Sequence, residues 1–392
     1  MRNFWGGVEW GVIYLDSNAT TQPAPEVVEA MLPYLRERWV NPSSSYRGAR
    51  EVRKAIEGAR GAVAEWIGAE VEEVVFTSCG TESVNAVHDS VRALWPERRR
   101  LIVGATEHAA VMESAERWVR NGGEKVVLPV GRDGVVELGV LREMLREPTA
   151  LVSVMWANNE TGVVAPMAEV VAMAHEAGAL VHTDAVQAVG KVAVDVREVA
   201  VDFLSLSGHK VHAAKGVGAL FVSRRARYLP LLVGGGQESG RRSGTENVAG
   251  IVGLGVAVAL MRGQDGQRVT AMRDAFEAGV LKRVPEVVVN GLEARRLGTT
   301  SSLTFPGVDA AGMLILLDKA GVCCSAGSAC HTGALHASHV LEAMGLDEGH
   351  AGSTLRFSFC RYNTMEEVER AVEGVVAGVE KMRMLMGVVV GG

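Results

Sequence analysis

The chain has 392 residues, 48% of them hydrophobic and 22% charged, enough to bury a large core divided into two domains. A formal net charge of -6 is mild, which argues against nucleic acid or an anionic membrane surface as partner. The opening MRNFWGGVEWGVIYLDS has no basic region followed by an apolar stretch and so is not expected to be a secretion signal, and no apolar run is long enough to span a bilayer.

From residue 70 to about 225, short apolar β-branched runs alternate with amphipathic stretches. The runs, in order, are EVVFTS, RLIVGAT, KVVLPV, ALVSVMW, ALVHTD, VDFLSLS and GALFVS, and segments such as ESVNAVHDSVRALW and MAEVVAMAHEAG between them have helical spacing. Strands covered on both faces and separated by helices predict an α/β fold with a mostly parallel central sheet flanked by helices. The longest apolar run, Val248 to Met261, reads as a buried helix. After Arg262 a charged helical segment leads into sparser strands, EVVVN, SSLTFPG, GVCCSA and TLRFSFCRY, which predict a smaller α+β domain. The expected division is 15–262 for the large domain, with 1–14 and 263–392 forming the small one.

Ligands of open α/β sheets collect beyond the carboxyl ends of the strands, where amides and helix N-termini converge. TSCGTESVN, residues 77–85, runs from a strand through small residues into a helix. It suits either a phosphate or an ordinary helix start capped by Ser78 or Thr81. Asp184 ends the apolar run ALVHTD and needs a partner in that low-dielectric position. Lys210 follows the next strand, and only eight of the 40 basic residues are lysine. The two could form an internal ion pair, or serve pyridoxal phosphate as ring-nitrogen carboxylate and Schiff-base lysine.

Three of the five cysteines fall in CCSAGSACH, residues 323–331. Their odd number and clustering suit a reducing cytoplasm better than a disulfide framework. Cys323 and Cys324 read as small core hydrophobes, at least one facing inward, and Cys360 as core in the strand after Arg356. A metal site of Cys323, Cys324, Cys330 and His331 competes with that reading but lacks paired C-x2-C spacing. His336 and His339 sit around a helix start, where solvated or capping roles are expected.

Between about Tyr14 and Tyr362 the chain carries YLDSNATT, NPSS, FTSCGTES, TEHAAV, NNETGV, HTDAVQAVGK, SGHKVHAAKGVGAL, GGGQESGRRSGTEN, SAGSACHTG and LRFSFCR, in that order. With these motifs it resembles the NifS/IscS-type cysteine desulfurases, pyridoxal 5'-phosphate enzymes of aminotransferase fold type I. The resemblance implies that Lys210 carries the cofactor and moves protons, that Asp184 pairs with its ring nitrogen, and that His108 stacks on the ring. It implies Asn159 and Gln187 near the phenolic oxygen, and Gly80, Thr81, Ser207 and His209 around the phosphate. Thr245 would reach the phosphate of the partner in a homodimer. Arg356 would form a bidentate pair with the α-carboxylate of L-cysteine, with Asn41 and Asn159 as further substrate contacts. Cys330, on a loop made mobile by Gly327 and Gly333, would take the sulfur as a persulfide, release alanine and pass the sulfur to an IscU/NifU-like scaffold in the cytoplasm. No resident metal, nucleic acid or membrane is implied. Departures from the family pattern are Cys79 in the phosphate turn, Tyr46 and Ala49 after NPSS, Ser17, and His331 after Cys330. A selenocysteine lyase with the same cofactor, or a non-enzymatic metal carrier built on the cysteines, are the alternatives.

Overall fold

A computed structural model describes residues 11–262, 266–326, 338–385 and 387. The chain divides into two compact units. One contains Thr20–Asn159 and Val163–Gln264, the other the described parts of Met1–Ala19, Glu160–Gly162 and Asp265–Gly392. No single helix among the described residues is long and apolar enough to cross a membrane.

The large unit is built on seven strands: β1 (Val74–Thr77), β2 (Arg100–Gly104), β3 (Glu124–Leu128), β4 (Thr149–Ser153), β5 (Leu180–Asp184), β6 (Phe203–Ser207) and β7 (Gly218–Val222). They lie in the order β1-β7-β6-β5-β4-β2-β3. All run parallel except β7, which is antiparallel to both of its neighbours. These are the seven apolar runs of the sequence, each within a few residues of its expected ends. Strands β4, β6 and β7 are buried at every position, which explains why they read as unbroken apolar runs and not as alternating ones.

Helices Gly80–Leu94 and Ala109–Arg120 bring Val84, Val87, Val91, Val111, Ala115 and Trp118 against Val75, Leu101, Val103, Phe203 and Leu220 of the sheet. The apolar run beginning at Val248 is, as expected, a largely buried helix, Val248–Arg262. It packs so closely on helix Arg47–Ile67 that a Cβ at Gly255 would stand 2.8 Å from the Ala59 Cα.

At its outer edge β1 has no neighbouring strand among the described residues, and two side chains bond its outward backbone groups. Arg60 Nη1 donates to the Val74 carbonyl at 3.1 Å, and Glu238 Oε2 accepts the Phe76 N–H at 2.8 Å. The two side chains also pair with each other, at 2.6 and 2.9 Å. Burial alone would lower the Arg60 pKa, but the hydrogen bonds that Arg60 donates to Glu238 and Glu57 raise it. The backbone bends through left-handed φ at Glu238 (50°) and Ser239 (56°) to aim that carboxylate, a strained geometry for residues with side chains.

Beneath the sheet's functional end lies a buried polar chain. His182 in β5 bonds Ser153 Oγ through Nδ1 at 2.8 Å and Ser205 Oγ through Nε2 at 2.9 Å, while His88 approaches the same Ser153 Oγ at 3.5 Å. Burial pushes the His88 pKa down to about 3 and that of His182 well below its ordinary value.

The small unit holds a four-stranded antiparallel sheet in the order Ser325–Ala326, Thr354–Ser358, Thr300–Thr304, Val288–Val289. A separate short pair, Ile13–Tyr14 with Val322–Cys323, is parallel. Helices Gly266–Arg283, Ala310–Lys319 and Met365–Leu385 contribute Phe276, Met313 and Val375 to a core with Phe357 and Phe359. Cys324 packs on this core while Cys323 is half-exposed, and burial raises both thiols above their usual range. Cys360 departs from expectation: the strand ends at Ser358, and Cys360 is half-buried just beyond it, where its N–H caps against Asn363 Oδ1 at 2.8 Å.

Two outcomes follow from these contacts. Glu238→Ala leaves the buried Arg60 with only the half-exposed Glu57 as carboxylate partner and the Phe76 N–H unpaired, so urea unfolding should show a loss of about 3 kcal/mol. A histidine buried neutral destabilises the fold as pH drops below its unfolded value, because the unfolded chain then binds the extra proton. The fall in unfolding free energy between pH 6.5 and 5 should therefore be smaller in His88→Leu than in the unmodified chain, by about 2 kcal/mol.

Candidate active site

At the carboxyl end of the large unit's sheet, the central strand β5 finishes on Asp184, which is 6% exposed. Its Cα pairs in register with Ser205 of β6, and Oδ1 accepts the Val186 N–H at 2.9 Å. Burial pushes this carboxyl up, against the charges of His108 and Lys210 and the Val186 hydrogen bond.

Lys210 ends the 3-10 turn Gly208–Lys210 that follows β6 directly. This turn is tight: a Cβ on Gly208 would meet Val217 Cγ1 at 2.9 Å and the Ala213 Cβ at 3.1 Å. Thr21 staples it from outside, with N–H and Oγ1 both donating to the His209 carbonyl (2.8 and 2.9 Å) while Oγ1 accepts the His212 N–H at 2.8 Å. His209 bonds Thr20 Oγ1 through Nδ1 at 3.2 Å. Burial, followed by the charges of Lys210, Lys215 and His108, pushes its pKa down to about 4, so it is neutral at pH 7.

His108 comes from the turn after β2 and is the N-cap of helix Ala109–Arg120. Its Nδ1 accepts the Ala110 N–H at 3.1 Å, which places the proton of a neutral ring on Nε2. The same turn carries Glu107, 1% exposed, whose Oε1 accepts the Met155 N–H at 2.6 Å. Burial, with the Asp184 charge adding to it against the Met155 hydrogen bond, holds Glu107 well above the usual carboxylate range. Asn158 ties the turn to the segment after β4 by donating to the Thr106 carbonyl at 3.0 Å.

The turn after β1 enters helix Gly80–Leu94. Its N-cap is Cys79, with no side-chain cap, and neither Ser78 nor Thr81 as the sequence suggested; the Ser78 N–H is instead taken by Glu82 Oε2 at 2.8 Å. Gly80 is required, because a Cβ there would come within 2.8 Å of Val186 Cγ2 and 3.8 Å of the Ser207 Cβ. Gly80, Ser207 and the loop after Asp184 thus meet, and a helix N-terminus with bare backbone opens beside them. Glu82 also pairs with Arg242 at 2.9 Å, anchoring the segment that carries Thr245.

Of the other expected residues, Gln187 is buried and accepts from Lys191 Nζ at 2.5 Å. Asn159 is half-buried and Thr81 exposed. Asn41 and Thr245 are exposed, and among the described residues no hydrogen bond links either to the Asp184 group. Arg356 belongs to the small unit, buried in the middle of strand Thr354–Ser358, with Nη2 on Asp16 Oδ1 at 2.8 Å. His339 is the exposed first residue of helix His339–Ala343, whose cap is Ser338. Cys330, Gly327, Gly333, His331 and His336 lie outside the described residues.

The donor set of the large unit fits the cofactor expected from the sequence: a buried carboxylate for a ring nitrogen, an amine on the adjoining strand end, an imidazole for stacking and a helix N-terminus for a phosphate. Sequence reasoning passed over Glu107, Asn158, Asp16 and Glu160. Each stands inside a quoted motif, and the signal that could have singled them out is the placing of acids and amides in otherwise apolar surroundings.

A family model, Aminotransferase class-V, matches residues 13–371. "Cysteine desulfurase 2" of Trichormus variabilis is 46% identical over 376 residues, covering 95% of this chain and 94% of the relative. A solved structure described as a NifS-like protein superposes with a TM-score of 0.88 at 34% identity, covering 94% of this chain and 100% of the other. Another, "SspA in complex with cysteine", gives a TM-score of 0.81 at 33% identity over 90% of this chain and 99% of its own. With one family model spanning nearly all of it and a sheet whose strand ends carry that family's chemistry, the chain belongs to the class-V aminotransferases.

Proposed function

We propose that this enzyme is a cysteine desulfurase that removes sulfur from L-cysteine, releases L-alanine and holds the sulfur on Cys330 as a persulfide. The observation that carries the reading is the buried Asp184 carboxylate facing the charges of Lys210 and His108 at one end of the sheet, in a chain 46% identical to a cysteine desulfurase. Pyridoxal 5'-phosphate, the cofactor of the family, supplies the electron sink that makes the substrate's Cβ–S bond breakable.

The chain's own residues do the rest. Asp184 would pair with the ring nitrogen and keep a proton there. Lys210 would hold the cofactor and supply the base at the substrate's α-carbon. His108, whose Nδ1 is occupied by the Ala110 N–H, offers Nε2 and a ring face. Gly80, Thr81, Ser207 and His209 receive the phosphate, and a neutral His209 can donate there without adding charge. Gln187 and Asn159 serve the ring's phenolic oxygen, and Arg356 takes the α-carboxylate, with Asn41 nearby in the family pattern. Cys330 attacks the substrate sulfur: the S–S bond forms as the Cβ–S bond breaks, and the electron pair of that bond returns to carbon with a proton to give alanine.

The same reading makes the functional species a homodimer, with the exposed Thr245 offered to the partner's phosphate. It directs the persulfide to a scaffold of the IscU/NifU kind for iron–sulfur assembly or another thiolation pathway in the cytoplasm. Cys79, Cys323, Cys324 and Cys360 are all free thiols, which suits a reducing compartment.

Lys210→Ala should abolish the cofactor's borohydride-sensitive visible band and lower turnover by about 10²–10⁴-fold or more. Cys330→Ser should keep that band while losing alanine and sulfide release. Full activity of Cys330→Ser on cysteine would remove the persulfide from the account.

A further inference from the structure

The small unit surrounds Arg356 with two acids drawn from remote parts of the chain. Asp16 is placed by a β-bridge to Ser358 and makes the 2.8 Å ion pair, at side-chain exposures of 6% for Arg356 and 17% for Asp16. Glu160 is buried, and Ser338 Oγ donates to its Oε2 at 2.5 Å. Ser338 is itself fixed as the N-cap of helix His339–Ala343, accepting the Leu341 N–H at 3.3 Å. The carboxyl is therefore held in place, close enough to feel the guanidinium charge.

Among the described residues, Tyr14, Cys323, Cys324 and Cys360 are ionisable groups that also face this cluster. Burial raises Tyr14 to about 12 and keeps the thiols of Cys323 and Cys324 above their ordinary value, so these three are neutral at pH 7. Asp16 and Glu160 are the two acids beside Arg356 among the described residues. A proton taken up by Glu160 removes one negative charge from the surroundings of Arg356. Burial pushes Glu160 up to about 7, against the Ser338 hydrogen bond and the Arg356 charge, so both states are within reach at neutral pH.

We infer that Glu160 is a positioning residue that takes up a proton when a carboxylate docks on Arg356. The reason is Coulombic: a further anion brought into this buried cluster is repelled by an ionised Glu160 and not by a protonated one. The proton comes from solvent and ends on a Glu160 oxygen, and the Ser338 hydroxyl stays hydrogen-bonded in either state. Binding of the substrate's α-carboxylate should thus be proton-linked and weaken as pH rises above about 7, by at most about tenfold per pH unit.

The inference rests on the reading of Arg356 as the carboxylate's seat, and the test separates the two. Butyrate has neither amine nor thiol, so it can compete with cysteine only through its carboxylate. Holoenzyme in weak buffer with a pH indicator is mixed with saturating butyrate at several pH values between 6 and 8.5, alongside its inhibition constant against cysteine. The expected result is an uptake of about half a proton per chain at pH 7, rising toward one at higher pH, with the inhibition constant increasing in step. Glu160→Gln, which keeps the shape and an acceptor for Ser338, should take up no proton and bind butyrate with a flat pH profile. Binding by the unmodified enzyme without proton uptake, or undiminished uptake in Glu160→Gln, overturns the role of Glu160 while leaving Arg356 in place. Unchanged butyrate binding by Arg356→Leu overturns both. The measurement on the unmodified enzyme needs no variant, so it decides even if Glu160→Gln folds poorly.

Discussion

The large unit is organised around one costly placement, the Asp184 carboxylate buried at the end of its central strand. A carboxylate in that position is tolerable only with cations and donors around it. The neighbouring strand ends supply them. Lys210 and His108 arrive from the ends of β6 and β2, and the Val186 N–H comes from the turn that Asp184 itself begins. Glu107, a second acid in the same region, is pushed well above the usual carboxylate range by burial, which disfavours a second negative charge there. The glycines follow from the same crowding. Gly80 and Gly208 stand where the turns carrying these groups leave no space for a Cβ.

Much of this was legible in the sequence because the strands of a doubly covered sheet have no polar face to hide them. All seven apolar runs became strands, and Asp184, Lys210 and His108, which stand at or just after strand ends, come close enough for their charges to interact. What escaped notice were features that depend on contacts distant in sequence. Cys79 lies at the N-cap because the Ser78 N–H is claimed by Glu82, a side chain tied in turn to Arg242. Glu238 looks like an ordinary surface acid in GGGQESGRR, yet it is buried against Arg60, 178 residues away. The short strand pair joining Ile13–Tyr14 to Val322–Cys323 likewise has no local signature, being only two residues long on each side. Cys360 was expected inside the strand because TLRFSFCRY is apolar throughout, but pairing stops at Ser358 and the chain turns where Asn363 caps Cys360.

Histidines show how burial sets the chemistry available. His88, His182 and His209 are all shifted downward, the first two by loss of solvent inside the core and the third by burial together with neighbouring cations. Neutral imidazoles can donate and accept at once, and His182 does so between Ser153 and Ser205. In the small unit burial acts in the opposite direction, raising the Glu160 carboxyl to about 7 against the Ser338 hydrogen bond and the Arg356 charge.

The Arg60–Glu238 pair on the rim of β1 has one more effect. By occupying the Val74 carbonyl and the Phe76 N–H, it leaves no free ladder there for a foreign strand to zip onto. Continuous sheets built by joining two copies edge to edge at β1 are therefore blocked, and any self-association on that side has to proceed through side-chain surfaces, a safeguard against fibrous aggregation built from a single ion pair.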